Sequence, residues 1–164
     1  MSVDMATAGI SMAGAQEFIW READMLDRLD YREWLKLWTA EGEYIVPIER
    51  DVDDHAGALN ILHDDAEMRE ARVKRLLSGF SMSSAPPART VRTVSRFVML
   101  KTAPERVKLR CAMHIVEYKY DRTRLLAADV TYRLNVTPGG IALDRKIVQL
   151  VNSDDAQFGI GYLL

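Results

Sequence analysis

From Ala15 onward, apolar side chains recur at helical spacing, with Phe18, Ile19, Met25, Leu26 and Leu29 on one stripe. An amphipathic helix is the structure that pattern predicts. Glu22 falls inside the stripe, where a carboxylate loses its water and needs a partner or a raised pKa. Next, "DYRE" at 30–33 sets an acid three residues before Glu33, and Tyr31, Trp34, Leu35 and Trp38 follow at i, i+3, i+4 and i+7. A second, short helix is therefore expected to start at Asp30 behind a capping box. "EYIVP", 43–47, reads as a strand stopped by proline, and "IERDVDDHAGALNIL" after it as a long polar loop. Asp64, with Glu67 in the reciprocal position, predicts a capped helix over 65–78. That helix carries Arg69, Arg72 and Arg75 on one side and Val73, Leu76 and Phe80 on another. "SMSSAPPAR" then breaks the chain.

The second half reads as four long strands, at 91–101, 106–120, 124–136 and 141–151, parted by the turns "TAPE", "YDRT" and "TPGG". The third alternates best: Leu126, Ala128, Val130, Tyr132, Leu134 and Val136 face one way, Asp129, Thr131, Arg133 and Asn135 the other. In the second, Val107, Leu109, Cys111, Met113 and Ile115 share a face before the apolar phase moves to Val116, Tyr118 and Tyr120. A bulge, or burial on both faces, would account for that shift. Helices first and an antiparallel meander afterwards indicate an α+β domain, with the N-terminal helices packed in a strongly curved, mostly antiparallel sheet. Residues 1–14 are expected to form a flexible arm and residues 15–164 a single domain.

Composition narrows the functions. A chain of 164 residues with 48% hydrophobic and 28% charged residues can bury one substantial core. A formal net charge of -2 supplies no basic field for nucleic acid or an anionic membrane. The N-terminus lacks the charge pattern of a leader, so a cytoplasmic protein is expected. With Cys111 as the single cysteine, neither an internal disulfide nor a Cys-based zinc or iron–sulfur site can be assembled.

Candidate chemistry is sparse. "DVDDH", 51–55, resembles a cation loop, yet the calcium template needs Gly where Ala56 stands and a bidentate Glu where Leu62 stands. His63, Asp64 and Asp65 are consecutive, so they could reach one ion only from an irregular loop, and helix capping already accounts for the acids. Arg92 and Arg96 are candidate partners for Glu22. The alternative is that Glu22, Asp30 and His114 meet in an internal cavity as general acid and base for a dehydration or isomerisation. A lone strand histidine such as His114 is more often structural. Phosphate loops, nucleophile elbows and paired cysteines are absent, so redox chemistry would need a cofactor held by another chain. Arg89, Arg92 and Arg96 suggest a subunit interface, with intrachain pairing as the competing reading. A third possibility is a binding module with an enclosed apolar pocket and no matched acid and base.

Three segments resemble one family in order. "FIWREADMLDRLDYREWLKLWTAEGEYIVP", "HDDAEMREARVKRL" and "PPARTVRTVSRFVML" are similar to segments of the small (β) subunits of aromatic-ring-hydroxylating dioxygenases. The likeness spans about residues 16–150. It implies a cone-like fold shared with nuclear transport factor 2, scytalone dehydratase and ketosteroid isomerase. It also implies a structural β subunit, noncatalytic alone, that joins a large α subunit and other β subunits as α3β3. The Rieske [2Fe-2S] cluster and mononuclear iron would then sit in the α subunit, which adds dioxygen to the aromatic ring with NADH-derived electrons.

Overall fold

Helix α1, Met12–Asp27, starts earlier than the apolar stripe predicts because Ser11 caps it, its hydroxyl accepting the Gly14 N–H at 3.0 Å. Residues 12–14 of the expected arm are thus helical and Ile10 is buried. The computed structural model describes residues 9–78, 86–155 and 159–164; residues 1–8 of the arm and Phe80 lie outside them. Along α1, Ala15, Ile19, Glu22, Ala23 and Leu26 are buried. The Trp20 indole donates to the Val94 carbonyl at 3.0 Å, fastening the helix to the sheet.

Helix α2, Tyr31–Leu35, follows, but the Asp30 side chain makes no cap and the expected capping box does not form. Only the Asp30 carbonyl enters the helix, accepting the Trp34 N–H at 3.0 Å. The helix ends by Lys36, so Trp38 opens strand β1, Trp38–Pro47, instead of closing the helical stripe. Gly42 is needed in β1: a Cβ there would stand 2.7 Å from the Trp38 ring and 3.2 Å from the Leu143 carbonyl.

Part of the expected loop is strand β2, Asn60–Asp64, antiparallel to β1. This moves the next cap by one residue. Asp64 stays paired in the sheet opposite Tyr44, and Asp65 caps helix α3, Ala66–Leu77, by accepting the Met68 N–H at 2.9 Å. Glu67 then stands too early in the helix to reciprocate. Arg69 leaves the expected arginine face and is buried one turn from Val73.

Strands β3 (Arg89–Ala103), β4 (Arg106–Lys119), β5 (Arg122–Thr137) and β6 (Gly140–Leu150) form the expected meander around the expected turns. Tyr120 and Asp121 both have positive φ, 52° and 60°, as a two-residue hairpin turn of type I′ demands. Strand β4 keeps its phase to the end: Glu117, not Val116, is the next buried residue after Ile115. The bulges lie in β3, beside Arg96 at φ 55°. The sheet order is β2-β1-β6-β5-β4-β3, with only β1 and β6 parallel. The result is a strongly curved, open mixed sheet around the helices, with Tyr162, Leu163 and Leu164 buried against its inner face.

Candidate functional site

The polar interior centres on Glu22, 1% exposed. Its partner is neither Arg92 nor Arg96 but Lys146 of β6, whose ammonium donates to Oε1. Trp34 Nε1 donates to the same oxygen at 3.2 Å, and the Tyr132 hydroxyl to Oε2 at 2.8 Å. Lys146 also donates to the main-chain oxygen of Leu164 at 2.8 Å, which accepts from the Tyr44 hydroxyl at 3.1 Å. Burial pushes the Lys146 ammonium pKa down, and the adjacent Glu22 carboxylate pulls it back part of the way. Burial, then the negative Glu22, drives the Tyr132 phenol well above its ordinary value. Both Glu22 oxygens are therefore engaged by fixed donors, an arrangement suited to bracing α1, α2, β5 and β6. Lys146 was findable in principle, since it shares strand parity with Val148 and Leu150.

The proposed acid–base group does not assemble. Asp30 is exposed at the start of α2, and His114 is exposed on β4 with its neighbours Met113 and Ile115 turned inward. Neither shares the enclosure of Glu22. The His63, Asp64 and Asp65 triplet is divided among three tasks. His63 Nε2 meets Glu43 Oε2 at 2.8 Å, Arg72 grips Asp64 at 2.5 and 2.9 Å, and Asp65 caps α3. Among the described residues no three His, Cys, Asp or Glu side chains gather as a metal site, the "DVDDH" loop included.

The three interface arginines part company. Arg92 is internal: its guanidinium donates to Asp27 and to the Leu163 carbonyl, and its backbone N–H donates to Asp27 Oδ2 at 2.8 Å. Arg96 is exposed and paired with Asp129. Arg89 is exposed, its guanidinium 6.0 Å from the Tyr118 ring centre. Beside it an apolar row crosses three strands on the outer face, where Val91 pairs with Val116 and Val116 with Leu125. These are 67%, 44% and 62% exposed. Lys108 and Arg110 are exposed on the same side of β4 as Val116.

Cys111 is fully buried, and that burial pushes its thiol from near 9.0 up to about 12, with negative Glu22 adding to the shift. An unfolded thiol loses its proton near 9 while the folded one keeps it, so raising the pH through this window favours unfolding. The stability gap between the wild type and Cys111→Ala should shrink by up to about 1.4 kcal/mol per pH unit above roughly pH 9.5. Urea denaturation at several alkaline pH values measures this, and a constant gap would refute it.

Comparison with known proteins gives a consistent picture. Residues 21–154 match the family described as the ring hydroxylating beta subunit. The small subunit of 2-halobenzoate 1,2-dioxygenase from Burkholderia cepacia is 29% identical over 140 residues, covering 82% of this chain and 85% of that protein. The small oxygenase component of the p-cumate 2,3-dioxygenase system from Pseudomonas putida is 26% identical over 142 residues, covering 85% and 78%. In fold, the β subunit of benzoate 1,2-dioxygenase from Burkholderia mallei superposes with a TM-score of 0.77 at 21% identity, over 94% of this chain and 98% of that one.

Proposed function

This chain belongs to the ring-hydroxylating β-subunit family, and we propose that within its oxygenase it is a noncatalytic scaffold whose outer sheet face seats the large α subunit. The observation that carries this reading is the engagement of Glu22 on both oxygens by Lys146, Trp34 and Tyr132. A general base needs a lone pair directed at substrate, and this carboxylate is 1% exposed with three donors already on it, so its remaining acceptor site faces the packed interior. The chain's own residues do not fit either iron centre: Cys111 is single and its thiol donates to the Val130 carbonyl of the neighbouring strand, and among the described residues no three His, Cys, Asp or Glu side chains gather. The Rieske cluster and mononuclear iron belong to the α subunit, which supplies the oxygen chemistry. The assembly is α3β3 and works in the cytoplasm; among the described residues no helix is long and apolar enough to cross a membrane.

The partner-facing surface is the row of Val91, Val116 and Leu125, with Arg89 beside it and Arg96, Arg110 and Lys108 farther along the same face. Exposed apolar side chains next to arginine match the make-up of interface centres. A twofold contact between two such faces would set like charges opposite each other, so an acidic face of the large subunit is the better complement.

Co-expression with the large subunit tests the whole reading. An iron-containing complex with three copies of each chain is expected by native mass spectrometry, and neither iron nor turnover with the β chain alone. Turnover by the isolated chain would overturn the scaffold role. Val91→Asp combined with Leu125→Asp should abolish co-purification while the circular dichroism of the chain stays unchanged. An intact complex from that variant would place the interface elsewhere.

A further inference from the structure

A cavity of about 270 Å³ lies between β1, β2, α3 and the segment 160–164. Its lining is mostly apolar, with Val46, Leu62 and Leu76 among the walls, and it includes no carboxylate or imidazole side chain. Two guanidinium groups reach it, Arg72 and Arg75, one helical turn apart on α3. Arg72 gives Nε and Nη2 to Asp64, whose side chain is 0% exposed, so that pair is neutral. Arg75 is exposed, and among the described residues its guanidinium has no hydrogen-bond or ion-pair partner. Among the described residues, one cation without a charge partner therefore stands at the rim of a largely apolar hollow. The hollow falls just below the roughly 300 Å³ at which drug-sized ligands begin to fit, which leaves room for a single ring or a short chain.

From this geometry we propose that the chain binds a small carboxylate with an apolar body, its carboxylate on Arg75 and its body against Leu62 and Leu76. Guanidinium groups hold carboxylates through two parallel N–H bonds, and the apolar walls exclude water from the rest of the ligand. With no carboxylate or imidazole side chain in the lining, the ligand is held and not turned over. The site is independent of the scaffold role, because none of its lining belongs to the β3–β5 outer face.

Calorimetric titration of the full chain with benzoate, hexanoate and benzamide tests this. Benzoate or hexanoate should bind one per chain and saturate, and benzamide, neutral and similar in shape to benzoate, should bind at least about tenfold more weakly. Arg75→Ala, a change on the exposed side of α3, should weaken the carboxylate by about tenfold or more. Ile61→Trp, at the 44%-exposed rim, should block binding with an unchanged unfolding temperature. Absence of saturation up to about 10 mM ligand, equal affinity for benzamide, or undiminished binding by Arg75→Ala would each overturn the proposal.

Discussion

Replacing Lys146 with methionine is expected to destabilise the chain by about 3–5 kcal/mol, because it strands the Glu22 carboxylate in the interior without its cation. Both side chains of the pair are 1% exposed, so water cannot take over the lost interaction. The same substitution takes one donor from the main-chain oxygen of Leu164. Glu22→Gln in the Lys146→Met background should recover at least half of the loss, because the neutral amide removes the buried charge and still accepts a hydrogen bond from Trp34. Urea denaturation at neutral pH, followed by tryptophan fluorescence, measures both. A Lys146→Met loss below about 1 kcal/mol would mean that the pair is solvated or absent, contrary to its enclosure.

Arg92→Leu is expected to cost about 3 kcal/mol, and the loss should appear in the isolated chain. The arginine side chain is 1% exposed and its Asp27 partner 19%. Asp27 would keep the Thr90 hydroxyl at 2.9 Å and the backbone N–H of residue 92, which holds the loss to the lower end of the range. The Leu163 carbonyl would lose its guanidinium donor. Arg96→Ala is the control: its ion pair with Asp129 is about half exposed on both sides, so the isolated chain should change by less than about 1 kcal/mol. If Arg92→Leu left the isolated chain intact and impaired only assembly with the large subunit, Arg92 would be an interface residue after all.

These two arginines also show where reading along the chain succeeds and fails. The long strands are legible because their signal is local: alternation at period two, bounded by turn residues, survives without knowledge of what the strand pairs with. The same locality explains the errors. Asp64 and Asp65 are equivalent as caps until β2 pairs with β1 and withdraws the first of them. The apolar residues Val116, Tyr118 and Tyr120 imitate an inward face, yet Glu117 is the inward residue, held by Arg124 at 2.7 Å and by the Tyr162 hydroxyl. The demand of Glu22 for a partner is plain from its place in the apolar stripe, whereas the choice of Lys146 over Arg92 depends on which strand passes beneath the helix. The candidate carboxylate site was legible only as a general possibility, because its lining comes from four separated segments.

The parallel contact between β1 and β6 has a bearing on biosynthesis. Glu43 and Arg145, opposite each other across that seam, are 102 residues apart in the chain. Contacts so distant in sequence form slowly, because the loop between them must be ordered first. The β3–β6 hairpins can zip up locally and α1 can dock on β3, but the β1–β2 pair has no sheet edge to join until β6 leaves the ribosome. Glu22 receives its cation from the same late strand, so a nascent chain stalled short of Lys146 carries an open sheet edge and an unneutralised acid together, the combination that leaves an unfinished chain prone to aggregate.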